Sequence, residues 1–230
     1  SLLTSLTVGG KGDAKTPAYK FDTITLNEGA ALNVVTTKDE AKVLETFYTD
    51  ADGVKTVKVH NGVWNFNGGD VQLNGTAIRG ADYNIEVGAT AGQTALEVSF
   101  GADYEFGNVT VADKASNEVK LTATKGATLK FKNVDLTTSQ SGSLSINGGA
   151  SVTTENLTLS GSNVSADVSS GSLTVAGTLK ASKEGAIVLN ADGELNVDVT
   201  GLYEDGKYTT ETSKVVANAV TAKNGSKETI

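Results

Sequence analysis

Pairs of apolar residues separated by a single residue recur along the chain and dominate its hydrophobic pattern. From Val71 onward, successive pairs start between 8 and 16 residues apart. An apolar–polar–apolar triplet has a period of two, which places both apolar side chains on one face of a strand. No stretch carries the 3.6-residue stripe of an amphipathic helix, so the pattern predicts an all-β protein of many short strands. The pairs are Val71/Leu73, Ile85/Val87, Leu96/Val98, Val109/Val111, Val119/Leu121, Leu129/Phe131, Leu144/Ile146, Leu157/Leu159, Leu173/Val175, Ile187/Leu189 and Leu195/Val197.

A glycine-led phrase accompanies many of these pairs. Residues 171–179, GSLTVAGTL, hold two copies in which glycine and a small polar residue lead into a branched apolar residue. Glycine adopts positive φ angles at no steric cost, so each copy predicts a turn followed by a strand. Further copies begin at Gly29, Gly126, Gly142, Gly185 and Gly193.

Two architectures accommodate many short strands. In a parallel β-solenoid, each coil contributes two or three strands and stacks on the next coil, and the spacing of the pairs predicts coils of roughly 20–30 residues. Tandem antiparallel β-sandwiches are the alternative, but they usually have strands of about 5–6 residues with frequent proline and tight-turn signals. The chain has 1 proline and 26 glycines. We therefore predict a parallel β-solenoid with projecting hairpins.

The pattern divides the chain into three parts. Residues 1–60 are predicted to form an irregular β region with a hairpin near 46–57, which turns at Asp52-Gly53. Residues 61–200 are predicted to form the solenoid, with Trp64 and Phe66 in its core. Residues 201–230 are predicted to contain a second hairpin, around Asp205-Gly206. Neither end shows a polar capping segment, so we expect more protein beyond both ends.

Composition excludes several classes of protein. The net charge is −8 and Arg79 is the single arginine, which argues against nucleic-acid binding because phosphate recognition needs clustered Lys and Arg. There is no cysteine, which excludes disulfides and thiolate metal sites. No apolar run approaches the roughly 20 residues of a membrane-spanning helix.

Few residues offer chemistry. His60 is the single histidine, so a two-histidine metal site is excluded, and no Gly-x-Ser-x-Gly motif accompanies it. An enzyme that acts on uronates needs basic residues beside the substrate carboxylate, and Arg79 stands alone as the single arginine. Asp50-Ala51-Asp52-Gly53 resembles part of an EF-hand, but Val59 stands where the loop needs its closing carboxylate. We predict no catalytic, cofactor-binding or metal-ligating residue and no cofactor; weak calcium binding by acidic loops stays open.

The sections Gly142–Leu159 and Gly171–Val199 resemble the passenger regions of bacterial autotransporters and related large surface proteins, in which phrases such as Gly-Ser-Leu-Thr-Val and Gly-Thr-Leu recur. The resemblance implies a right-handed parallel β-helix and a non-enzymatic structural or adhesive role at the bacterial cell surface, as in adhesins and surface-layer proteins. It also implies partners, either further copies and other surface proteins, or a glycan or host receptor. A phage tail-fibre protein and a polysaccharide-active β-helix enzyme are the alternatives.

Overall fold

The protein is seen in a computed structural model that describes residues 5–9, 23–35, 48–51, 54–59, 62–88, 96–112, 118–181, 185–197, 200–203, 220–222 and 227–229. These residues form strands, turns and connections, with no helix among them. The strands in chain order are β1 (Ser5–Gly9), β2 (Thr23–Asn27), β3 (Ala31–Val35), β4 (Tyr48–Ala51), β5 (Val54–Val59), β6 (Gly62–Asn67), β7 (Asp70–Leu73), β8 (Thr76–Ala77), β9 (Tyr83–Val87), β10 (Leu96–Phe100), β11 (Tyr104–Val111), β12 (Val119–Ala123), β13 (Thr128–Thr137), β14 (Ser141–Ile146), β15 (Ser151–Ser160), β16 (Asn163–Ser169), β17 (Ser172–Val175), β18 (Thr178–Ala181), β19 (Ile187–Asn190), β20 (Glu194–Val197), β21 (Thr200–Tyr203), β22 (Val220–Ala222) and β23 (Lys227–Thr229).

The strands stack in sheets as a parallel β-solenoid. A four-stranded sheet has the order β1-β3-β7-β8, and an eight-stranded sheet has the order β2-β6-β10-β12-β14-β16-β19-β22. An eleven-stranded sheet runs β23-β20-β17-β15-β13-β11-β9-β5-β4, with β18 and β21 alongside. Among the described strands, only the pairs β4–β5 and β7–β8 are antiparallel. This confirms the solenoid and excludes the tandem sandwiches; the right-handed sense of the coil stays a prediction.

Successive coils are held in a constant register. The chain alternates between the eight-stranded and the eleven-stranded sheet, so each coil adds one strand to the first and one or two to the second. Hydrogen bonds that a side chain makes with a neighbouring regular coil join residues 22–25 positions apart. Like residues therefore face like residues, as with Leu121 opposite Leu144 and Phe106 opposite Phe131. The predicted coil length is confirmed.

A bend divides the eleven-stranded sheet lengthwise. In β13, Leu129 and Phe131 are buried, and Val134 and Leu136 are buried as well. The alternation of buried and exposed residues therefore shifts by one residue between these two pairs. The strand register skips Lys132 at that shift. In the coil of β17 and β18 the bend becomes a break between two short strands. Each regular coil thus has three short faces, and we call the skipped positions Gly107, Lys132 and Glu155 the corner row.

The apolar pairs predicted from the sequence form the core. All of them are buried except Leu73, which is partly buried and packs against the core. Since every coil places its pairs over those of the coil below, the core is one continuous column. Outward positions between the buried residues are mostly Ser, Thr, Asn, Lys and Glu, which face water.

An aromatic cluster fills the core of the first regular coils. The Phe66 ring centroid lies 5.2 Å from that of Phe100, 5.6 Å from that of Tyr104 and 6.3 Å from that of Phe106. Trp64 stacks on Phe66 at 6.0 Å. Trp64 and Phe66 are each 1% exposed, which confirms their predicted place in the core.

Only some of the glycine-led phrases begin at a positive-φ turn: Gly29, Gly126 and Gly185 have positive φ, whereas Gly142 lies inside strand β14, where the predicted turn is wrong. Gly126 has φ +69° and directly precedes the buried Ala127 and strand β13; Gly149 has φ +81° at the equivalent place before β15. At both turns the chain closes with a backbone hydrogen bond, Ala127 N to Thr124 O at 3.1 Å and Ala150 N to Asn147 O at 3.0 Å. A side chain with a Cβ is strained at such φ angles, which explains the glycines at 126 and 149. At Gly171 and Gly193 the reason is space instead, because a Cβ would lie 2.7 Å from Ala150 O and 2.2 Å from Val168 O.

The antiparallel pair β4–β5, in which Ala51 lies opposite Val54, forms the arms of the hairpin predicted near 46–57, but the described arms lie in a sheet of the solenoid rather than projecting from it. Both arms belong to the eleven-stranded sheet, where β4 is the terminal strand. Its turn, Asp52-Gly53, lies outside the described residues. The turn Asp205-Gly206 of the second predicted hairpin also lies outside them, while β21, just before it, pairs in parallel with β18.

Parallel stacking extends beyond the range 61–200 on both sides among the described residues. On the N-terminal side, β2 pairs with β6, β3 with β7, and β5 with β9. On the C-terminal side, β22 pairs with β19 and β23 with β20. The described parts of the two flanking regions therefore contribute strands to the same sheets.

Candidate functional site

A ladder of asparagine side chains follows the bend of the eleven-stranded sheet. Asn133 Nδ2 donates to Asn108 Oδ1 at 2.7 Å, and Asn156 Nδ2 donates to Asn133 Oδ1 at 2.7 Å. Backbone groups close both ends, since Asn108 N donates to Asn84 Oδ1 at 2.7 Å and Thr178 N donates to Asn156 Oδ1 at 2.9 Å. The ladder ties five successive positions, each on a different coil.

The ladder lies beside the corner row, where the strand register is interrupted. Thr154, fully buried, donates its hydroxyl there to Asn156 O at 2.9 Å and also lies 3.3 Å from Lys132 O. Buried polar groups need hydrogen-bond partners. The side chains of Thr154 and the asparagines supply them where the backbone hydrogen bonding between strands is interrupted. The arrangement therefore fixes the bend and the register of the coils.

Arg79 lies where the regular parallel stacking is interrupted by the antiparallel strand β8. Its Nε donates to Asp70 Oδ1 in an ion pair, its Nη1 donates to Asp103 O at 2.8 Å and its Nη2 donates to Gly68 O at 2.8 Å. The guanidinium carbon also lies 4.0 Å from the centroid of the Tyr104 ring, a cation–π contact. The single arginine thus joins three segments of successive coils.

Tyr104 completes this cluster from the core side. Its hydroxyl donates to Gly69 O at 2.6 Å and accepts from Gly68 N at 2.7 Å. Burial raises the pKa of the Tyr104 phenol above 10.0, although the hydrogen bond from Gly68 and the charge of Arg79 act in the opposite direction. The phenol stays protonated at neutral pH and serves as a hydrogen-bond donor in the turn.

Two neighbouring concavities open on the outer surface beside Arg79. The first has a volume of about 410 Å³ and is lined by Arg79, Gly80, Asp103, Tyr104, Glu105 and Thr128. The second has a volume of about 320 Å³ and is lined by Ala81, Asp82, Glu105, Phe106, Lys130, Phe131, Lys132 and Glu155. Glu105 belongs to both, so they adjoin there. We call the two together the Glu105 groove.

The residues considered for catalysis and cation binding do not meet in one described site. His60 lies outside the described residues, as does Asp52-Gly53 of the EF-hand-like stretch. Arg79 is engaged with Asp70 and two carbonyl oxygens rather than standing alone. In the described part of the chain, no group of three or more His, Cys, Asp or Glu residues is placed to hold a metal ion. A helix that is long and apolar enough to cross a membrane is likewise not found within the described ranges.

The sequence interpretation missed both the asparagine ladder and the Arg79 cluster. A signal for the ladder existed, because Asn108, Asn133 and Asn156 recur at separations of 25 and 23 residues, which is the coil length. The Arg79 contacts had no such signal, since they depend on the insertion of β8 between coils.

No protein-family model matches the chain, and the comparisons with curated proteins and with solved structures give no significant match.

Proposed function

We propose that this chain is a non-enzymatic structural segment of a bacterial cell-surface protein, and that it forms a rigid rod which spans a distance and contacts further copies or other surface proteins. The observation that carries the proposal is the constant register of the stack. Each coil adds a rise of about 4.8 Å, so the number of coils sets the length of the rod. The sequence resemblance to autotransporter passengers supports the bacterial surface as its location.

The placement of the charged groups also supports a structural role. The Arg79 guanidinium already donates to one carboxylate and two carbonyl oxygens, which ties coils together. Among the described residues, three lysine–glutamate pairs join neighbouring coils: Lys120 with Glu97 at 3.6 Å, Lys130 with Glu105 at 4.0 Å and Lys227 with Glu194 at 3.8 Å. Exposed pairs of this kind contribute little energy each, but like-charge contacts in a shifted register would be unfavourable.

Lengthening the rod by whole coils tests the proposal. Gly142 pairs with Val164, so residues 142–163 form one full coil whose only charged side chain is Glu155. Five extra copies inserted after Asn163 should lengthen the particle by about 24 Å in electron micrographs, at about 4.8 Å per coil. The control is an insertion of the same residues in scrambled order, which should not extend the rod.

A second experiment, made in bacteria that express the protein carrying this segment, tests the location. A peptide tag in the exposed turn at Lys125-Gly126 should bind antibody on intact bacteria. A tag that antibody reaches only after lysis would contradict the surface role. An unchanged particle length after the in-register insertion would contradict the rod.

A further inference from the structure

An asparagine that is followed by glycine can rearrange without an enzyme. The backbone nitrogen of the glycine attacks the side-chain carbonyl carbon of the asparagine, the amide nitrogen leaves as ammonia with the glycine N–H proton, and a succinimide ring remains. Water then opens the ring to aspartate or isoaspartate. Glycine favours the attack because it has no Cβ to crowd its nitrogen. The structure describes both residues of three such steps, Asn67-Gly68, Asn74-Gly75 and Asn147-Gly148.

The three steps differ in what the glycine nitrogen contacts. Gly68 N donates to the Tyr104 hydroxyl at 2.7 Å, and Gly75 N donates to Asn33 Oδ1 at 2.8 Å. Each of these bonds has to break before the nitrogen can lose its proton and attack, which costs free energy. Among the described residues, Gly148 N donates to no neighbouring group, and Gly148 is exposed. The Gly148 nitrogen therefore reacts without that cost.

The turn that carries Gly148 is held on both sides. Ala150 N donates to Asn147 O at 3.0 Å, which closes the turn between β14 and β15. Asn147 N donates to Ala123 O of the preceding coil, also at 3.0 Å. These bonds hold the backbone of Asn147 and do not involve the Gly148 N–H.

Thr124 activates the side chain that is attacked. Its Oγ1 donates to Asn147 Oδ1 at 2.7 Å. The attack turns this carbonyl oxygen into an oxyanion, and a hydroxyl that donates to it stabilises the negative charge as it develops. The same hydroxyl lies close to Gly148, since it would be 3.1 Å from a Cβ built on that glycine. The attacking residue and the attacked side chain therefore meet beside one hydroxyl group.

We propose that Asn147-Gly148 is a self-modification site, at which the folded chain converts Asn147 to aspartate or isoaspartate and Thr124 promotes the attack. Isoaspartate carries the main chain through its side-chain carboxyl carbon, so it adds a methylene group to the backbone of the turn. The added length disturbs the hydrogen bond between Ala150 N and Asn147 O, which loosens this coil. The solenoid thus has a site that weakens with age, wherever the protein is located.

The test incubates the whole folded chain in mildly alkaline heavy-oxygen water. Opening of the succinimide takes up oxygen from water, so the heavy isotope labels only the sites that react during the incubation. Mass spectrometry of the digested chain should show Asn147 reacting about tenfold faster than Asn67 and Asn74, the factor that corresponds to one broken hydrogen bond. In concentrated urea, where the fold is lost, the three rates should converge. Equal rates in the folded chain, or a faster reaction at Asn67 or Asn74, would overturn the proposal.

Two matched variants test the part played by Thr124. Thr124→Val removes the hydroxyl at nearly constant shape and should slow the reaction at Asn147 about tenfold, because the hydrogen bond to the developing oxyanion is lost. Thr124→Ser keeps the hydroxyl and should retain most of the rate. Neither change should alter the rates at Asn67 and Asn74, which a general loosening of the fold would raise. An unchanged rate at Asn147 in Thr124→Val would overturn the role of the hydroxyl.

Discussion

Replacing Phe66 by alanine should lower the free energy of unfolding by about 3–5 kcal/mol, the largest effect that we expect from one core substitution. The Phe66 ring is 1% exposed and contacts the rings of Trp64, Phe100, Tyr104 and Phe106. Its removal leaves a cavity in a column that cannot collapse sideways, because the strands on both sides are held in register. Chemical denaturation followed by tryptophan fluorescence measures the loss.

The control for Phe66→Ala is Val63→Ala on the same strand. Val63 is a partly exposed residue on the outward face of β6, so its truncation should cost well under 1 kcal/mol. Similar losses for the two variants would show that β6 does not present Phe66 to the core. A loss confined to Phe66→Ala supports the inward and outward assignment of the whole strand.

Asn133→Ala should lower the free energy of unfolding by about 2 kcal/mol, the second largest effect expected. Asn133 donates to Asn108 and accepts from Asn156, so its truncation leaves one acceptor and one donor without their ladder partners. The cost is moderated because Asn156 is exposed and water can replace Asn133 at that side. Urea denaturation of the purified chain measures the change.

Asn163→Ala serves as the control for the ladder. Asn163 is an exposed asparagine at the first position of β16, and it lies outside the ladder. Its replacement should change stability by less than about 0.5 kcal/mol. Equal costs at the two positions would mean that the ladder contributes nothing beyond an ordinary surface asparagine.

Much of the architecture could be predicted from the sequence because burial in a solenoid has a strict period of two. The pair Leu144/Ile146 and the pair Leu195/Val197 are buried as predicted, each within a short strand. Glycine marked the turn at Gly29, Gly126 and Gly185, where φ is positive, but not at Gly142, which lies inside a strand. Coil length followed from the spacing of the pairs, because adjacent coils must repeat the same faces.

The third face of each coil was harder to predict. Pairs such as Val134/Leu136 follow Leu129/Phe131 within a single strand, and the shift in alternation between them resembles an ordinary irregularity. The bend is visible only when several coils are aligned, so that Lys132 and Glu155 fall in one row. Aligning the coils requires the strand register, which cannot be read from the sequence when the coils repeat only loosely.

The Glu105 groove could not be predicted because its walls come from separate coils. Asp82 and Glu105 lie 23 residues apart in the sequence, and Gly107 carries no chemical signal of the close approach of Ala81. Arg79 attracted notice as the single arginine, but its partners depend on the antiparallel strand β8. A site that forms where the repeat is interrupted cannot be predicted from the repeating pattern of the sequence.

Distances between coils test the central claim, the in-register parallel stack, most directly. Thr25, Asn65, Ser99, Thr122, Ser145 and Asp167 form one outward row of the eight-stranded sheet through five successive pairings. The chain has no cysteine, so spin labels can be placed at chosen pairs without background.

Labels on Thr25 and Thr122 are three coils apart, and labels on Thr25 and Asp167 are five coils apart. Pulsed electron paramagnetic resonance should give two narrow distance distributions, with backbone separations of about 14 and 24 Å at about 4.8 Å per coil. The increase of about 10 Å between the pairs is the predicted result. Equal distances for the two pairs, or distributions too broad to separate, would contradict the stacked solenoid.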